Sequence, residues 1–170
     1  MGITALIVFI FLLPLPACSA AHKSSGWYSG DHAVDKRVLE RVNEARVKGR
    51  KCGDKYYRAV KPLLWNEILG QAALNHSLDM AENNFLSHIG SGGSDPGERL
   101  SKAGYKWTAY GECIGKGYQT PEETVNGWLK SEMHCRNIMN PQFKEAGAAF
   151  ARSGSIRTYW TVVFGTRGPE

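Results

Sequence analysis

The chain has 170 residues, 42% hydrophobic and 22% charged, with 21 Lys and Arg against 16 Asp and Glu for a formal charge of +5. That length and balance fit one globular domain with at most a leader and a tail, and exclude a disordered or fibrous chain. A positive excess, with a pI near 9.1, suits anionic surfaces such as wall polymers or lipid headgroups. The Lys and Arg are dispersed along the sequence, however, and read as an ordinary solvated basic surface. Nothing has the form of a phosphate loop, a dinucleotide fingerprint or a nucleic-acid module, so no nucleic acid is expected as a partner.

The first 17 residues, MGITALIVFIFLLPLPA, are an apolar run ending at Cys18. The run is shorter than a membrane span of ~20 residues and is broken by Pro14 and Pro16, so residues 1–17 read as a secretory signal peptide. Its start lacks the usual Lys or Arg. Leu15-Pro16-Ala17-Cys18 has the form of a lipobox, whose cysteine is lipidated and anchors the protein to a membrane; cleavage after Ala20 is the rival and would release it. Either route takes the chain out of the cytoplasm, to an extracellular, periplasmic or lipoprotein-anchored location. Residues 18–30 are small and polar and read as a tether, which leaves 31–168 as the folded domain. His22 and His32 are assigned no role.

Asp31 can cap a helix over 31–48, in which Val34, Val38, Val42 and Ala45 form one apolar stripe. Gly49 and Gly53 end it, and 55–62 reads as a loop. The run 62–85 reads as the main helix, with Asn66 as N-cap and Leu69, Ala73, His76 and Met80 on one face. His76 is expected to be a packed helix residue rather than a ligand. Residues 89–95 turn, and Pro96 opens a short helix that Gly104 stops. Aromatics and glycines without helical period over 105–118 predict a strand and loop. Thr120-Pro121-Glu122-Glu123 reads as a capping box opening a helix whose Val125, Trp128 and Leu129 face inward. A short turn over 134–139 follows. Alternation over 146–151 and 156–164 predicts a C-terminal antiparallel hairpin, with Tyr159, Thr161 and Val163 on one face and Trp160, Val162 and Phe164 on the other. This order predicts an α+β fold with helices packed on an antiparallel sheet.

Most of the unusual chemistry falls within 84–138, where His88, Glu98, Glu112, Cys113, His134 and Cys135 sit in segments that read as loops. Four cysteines in an exported chain indicate oxidation. With Cys18 lipidated, Cys52, Cys113 and Cys135 remain, and the sequence leaves every pairing among them open.

Five segments, HSLDMAENNFLSHIGSGGS (76–94), ERLSKAGY (98–105), GECIGKGY (111–118), TPEETVNGWLKSEMHCRNIMNPQFKEAG (120–147) and YWTVVFG (159–165), carry a resemblance. In order and spacing, over roughly 100 residues, they resemble the bacterial branch of the CAP superfamily (cysteine-rich secretory proteins, antigen 5, pathogenesis-related 1), also called the SCP domain. The resemblance implies a three-layer α-β-α sandwich with a central cleft where two histidines and two acids converge. His88 matches the histidine after the second helix, Glu112 the acid of the GEN motif and His134 the histidine of the bacterial GHR-type motif. For the fourth place, Glu98 matches an acid of bacterial members and Glu132 lies near the eukaryotic acid, while the eukaryotic second histidine falls near Thr158. Cys113 replaces the asparagine of GEN. The resemblance also favours a Cys52–Cys135 disulfide, worth on the order of 2–4 kcal/mol, with Cys113 as the odd thiol.

Two neutral imidazoles with an open position suit Zn²⁺ or another divalent metal, with Glu112 orienting a ligand or pinning its own loop. For Cys113 a small buried thiol is expected over a nucleophile. Trp107, Tyr110 and Tyr118 could line a groove, while Trp128 belongs to the core. The expected function is a binding module of the cell envelope, taking a metal, a small ligand or an envelope component through His88 and His134. The alternatives are a metal-assisted hydrolase of peptide or cell-wall substrates, with Glu112 or Glu98 as general base, and a lipid-binding module.

Overall fold

A computed structural model describes residues 32–154 and 157–168. The signal peptide, the tether with Cys18, and Asp31 lie outside the described residues. The elements run α1 (His32–Arg46), β1 (Arg50–Cys52), β2 (Lys55–Tyr57), β3 (Leu64–Trp65), α2 (Glu67–Glu82), α3 (Pro96–Lys102), β4 (Trp107–Lys116), α4 (Pro121–Lys130), α5 (Glu132–Ile138), β5 (Glu145–Ser153) and β6 (Arg157–Arg167).

The period-two pattern of β6 sorts the core into two halves. Trp160, Val162 and Phe164 pack with Val38, Leu39 and Val42 of α1, Val125 and Trp128 of α4 and Ile138 of α5. Val163 meets Leu69 and Ala73 of α2 and Leu100 of α3, and Tyr159 meets Met80 and Ala81. Helices therefore cover both faces of a four-stranded sheet of order β3-β5-β6-β4, giving an α-β-α sandwich. The buried hydrophobic side chains among the described residues run from Val38 to Phe164. The expected hairpin is β5–β6, antiparallel from Glu145↔Gly165 to Ser153↔Arg157.

Small residues set the distance between α2 and the sheet. A Cβ on Gly147 of β5 would stand 2.0 Å from Gly70 N of α2, so only glycine lets the helix lie on the strand there. Asn66 caps α2 by accepting from Ile68 N and Leu69 N. At the other end Asn84 takes a left-handed φ of 51°, and Phe85 N donates back to Met80 O, the closing bond of a Schellman-type stop.

Three sequence expectations need correction. The run 62–85 is not all helix, because Leu64–Trp65 pair in parallel with Glu145 and Ala146 at the sheet edge before Asn66 starts α2. The loop expected over 55–62 contains β2, which pairs with β1 in a small hairpin. The turn expected over 134–139 is part of a real helix, α5.

Helix α5 is short and is held from outside. Cys135 is bonded to Cys52 of β1, with Cα atoms 5.5 Å apart and 83 residues between them in sequence. Arg46, fully buried, donates to the carbonyls of Lys61, Ile138, Asn140 and Phe143. Its charge thereby sits at the C-terminal end of α5, where the helix dipole favours a cation, and burial lowers its pKa to about 10.

Two losses test these ties. Replacing Cys52 and Cys135 together by alanine lowers the unfolding free energy by about 4 kcal/mol. Arg46→Met leaves four carbonyls without their donor and costs about 3 kcal/mol. Both are read from urea midpoints of residues 32–168.

Candidate functional site

Glu112 lies in β4, one of the two edge strands, on the sheet face covered by α2 and α3, and its side chain is only 2% exposed. A buried carboxylate needs partners, and three elements supply them. Arg99 of α3 donates from Nη2 to Oε2 at 2.7 Å. His88, in the loop after α2, stands with Nδ1 2.7 Å from Oε1. His76 of α2 places Nε2 3.8 Å from the same oxygen while it donates to Ser87 O at 2.9 Å.

The loop over 87–95 that presents His88 is pinned at several points. Arg99 Nη1 donates to His88 O and Ser94 O, and Asp79 of α2 accepts from Ser91 N at 2.8 Å. Because the Glu112 oxygen accepts, His88 carries a proton on Nδ1, which leaves Nε2 as the ring nitrogen turned away from the carboxylate. This is the arrangement by which a carboxylate fixes a ligating histidine. The His88 side chain is 44% exposed, so the ring opens to solvent beyond its bond.

His134 lies on α5, in the opposite layer, with its backbone carbonyl 3.8 Å from Cys113 Sγ of β4. It is half-buried, and burial first, then the neighbouring charge of His88, push its pKa below the ordinary 6.5. Burial likewise lowers the pKa of His76, against the pull of Glu112. His134 and His76 are therefore neutral at pH 7. Side chains of α4 and α5 also hold β4 from outside: Asn137 Nδ2 donates to Glu112 O at 3.1 Å and Trp128 Nε1 to Ile114 O at 2.9 Å.

The structure thus joins His88 to Glu112 directly, with His134 on α5 lying near β4 through its carbonyl's contact with Cys113. Glu98 goes elsewhere: its carboxylate accepts from Asp95 N while Asp95 accepts from Glu98 N, a capping box that starts α3. The residue of α3 that reaches Glu112 is Arg99, and Glu132 is exposed beside Arg136. Cys113 is buried, its Sγ 3.8 Å from His134 O, and burial drives its thiol pKa far upward, as for a small hydrophobe rather than a nucleophile. Trp107 stacks edge-on against Tyr110 at 4.6 Å over α3, and Trp128 is core.

The fold and site define an α-β-α sandwich with a His/Glu cleft at the edge of its sheet. The profile of the cysteine-rich secretory protein family (CAP) matches residues 39–164, and the chain belongs to that family. The uncharacterized protein YkwD of Bacillus subtilis is 36% identical over 132 residues, which cover 78% of this chain and 47% of YkwD, so the chain spans about half that relative's length. Among solved structures, an outer surface protein of Borrelia burgdorferi superposes with a TM-score of 0.71 at 21% identity, over 83% of this chain and 98% of that one. NaASP2, solved with Zn²⁺, superposes with a TM-score of 0.53 at 15% identity, over 79% and 80% of the two chains. No helix among the described residues is long and apolar enough to cross a membrane.

Two outcomes follow from the titrating groups. The folded protein resists protonation of His76 and His134, so their contribution to stability is complete above the unfolded value near 6.5 and is lost as the pH falls below it. Urea midpoints between pH 7 and pH 5 measure this, and His134→Gln removes part of the slope. Cys113 stays unreactive toward an aromatic disulfide reagent in the native protein and reacts once the chain is unfolded.

Proposed function

We propose that the protein is an exported binding module of the cell envelope whose cleft takes a divalent cation such as Zn²⁺. His88 and His134 would be the protein ligands, and Glu112 the residue that orients His88. The observation that carries this reading is the 2.7 Å contact between Glu112 Oε1 and His88 Nδ1, with Arg99 locking the other carboxylate oxygen. It fixes the ring of His88 with Nε2 facing away from the carboxylate, and His134, held neutral by burial, is the second imidazole of the reading.

Among the described residues no cluster of three or more His, Cys, Asp and Glu is arranged to hold a metal, so a bound ion would keep positions for solvent or a small anionic ligand. The ion would supply Lewis acidity for holding that ligand; the chain supplies two oriented imidazoles and a buried carboxylate. A CAP-fold neighbour solved with Zn²⁺ supports the choice of ion. An N-terminus that reads as a secretory leader, and an outer surface protein among the neighbours, support the location.

Hydrolysis and lipid binding are less well served. Glu112 is buried and holds Arg99 and His88, and Glu98 is committed to its cap, so neither carboxylate is free to serve as a base. A cavity of about 680 Å³ between α2 and α3 has a mixed lining, Ala72 and Ala103 beside Asn75, Ser94, Arg99 and Lys102, rather than a continuous apolar groove.

Calorimetric titration of residues 32–168 with Zn²⁺ at neutral pH tests the proposal. One ion binds to the native protein, His88→Ala and His134→Ala abolish binding while far-UV dichroism stays native, and Glu112→Gln weakens it by about 10–100-fold. Absence of binding to the native protein would overturn it.

A further inference from the structure

The cations look dispersed in the sequence, yet residues 47–61 contain six of the 21 Lys and Arg and only one of the 16 acids, Asp54. Lys48, Arg50, Lys51, Lys55, Arg58 and Lys61 thus account for the whole formal excess of +5, and elsewhere 15 cations balance 15 acids. This stretch is the β1–β2 hairpin with its flanks. All six except the half-buried Arg50 are exposed. None forms an ion pair among the described residues, whereas Arg37, Arg41, Arg99, Arg136 and Arg167 all do. The acid that approaches the hairpin is Glu132, against Gly53 at its turn.

Two uncharged side chains stand among these cations, Tyr56 at 60% and Val47 at 50% exposure. Lys51 and Tyr56 are a cross-strand pair, and exposed Arg58 follows directly after the strand. Cys52 and Tyr57 turn toward the core. Tyr56 is not a loose ring: its hydroxyl lies 2.0 Å from where a Cβ on Gly49 would stand, so the bare backbone of Gly49 seats it.

We propose that this hairpin docks the domain on a bilayer rich in anionic phospholipid. Cations meet the phosphates, while tyrosine and valine enter the layer at headgroup depth, a combination suited to a membrane surface. A soluble polyanion would engage the charges but offer no apolar layer to Tyr56 and Val47. The Cys52–Cys135 bond ties the hairpin to α5, so docking would bring α5 and its His134 close to the membrane. The inference stands independently of any metal in the cleft.

The test is co-sedimentation of residues 32–168 with vesicles, since the apolar residues 1–17 would enter any bilayer by themselves. The segment binds phosphatidylcholine vesicles doped with phosphatidylglycerol, ignores pure phosphatidylcholine, and is released by salt. The triple variant Lys51→Gln, Lys55→Gln, Arg58→Gln lowers partitioning by about a hundredfold. The charge-matched variant Lys36→Gln, Lys106→Gln, Lys130→Gln, on exposed sites elsewhere, leaves it nearly unchanged. Tyr56→Ser weakens binding without changing its salt dependence. Equal losses in the two triple variants would reduce the effect to net charge and overturn the proposal. So would binding to dextran sulfate in solution with none to anionic vesicles. Far-UV dichroism confirms that each variant is folded.

Discussion

The carboxylate of Glu112 is the constraint around which the cleft is built. An ionised group out of water is tolerable only when its oxygens are met by donors of matching charge and geometry. Here the donors come from different parts of the chain: Arg99 from α3, His88 from the loop after α2 and, at longer range, His76 from within α2. Each of those side chains also bonds to the backbone of the 87–95 loop or belongs to it. One buried charge therefore decides where the loop runs and which nitrogen of His88 faces outward. The site is a by-product of satisfying that charge, which is why its geometry is rigid in a segment rich in glycine and serine.

The other half of the cleft depends on a different kind of hold. Helix α5 has seven residues, too few to persist on local bonding alone. Its placement comes from the disulfide to β1 and from the four carbonyls that Arg46 gathers. His134 thus inherits its position from residues far away in sequence, and its low pKa from the burial this packing imposes. Electrostatics orders one side of the cleft, and covalent and cationic anchoring orders the other.

Much of this was legible in the sequence, and the boundary follows physical lines. The two faces of β6 could be read because alternation has a period of two and each side chain is large or small accordingly. Asn66 and Pro96 announced their helix starts through local bonding. The three segments misjudged, at 55–62, 64–65 and 134–139, owe their structure to partners distant in sequence, which local pattern does not contain. His88, Glu112 and His134 could be named through family resemblance. Arg99 escaped as a site residue because its role lies in a contact to Glu112 across 13 positions and nothing in its own neighbourhood signals a buried ion pair. Glu98 drew attention as an acid beside it, but the same spacing that marks it, three after Asp95, is the spacing of a helix cap.

The bonds that Asn137 and Trp128 make to the outer carbonyls of β4 have a consequence for how the protein behaves in a crowd. An edge strand with free carbonyls and amides is a template on which another chain can add a strand. In this fold α4 and α5 occupy those acceptors at Glu112 and Ile114, so the helices that help form the cleft also seal the sheet against its own kind. Loosening α5 would do more than scatter a histidine: it would uncover a sticky border, and self-association would accompany the loss of the site.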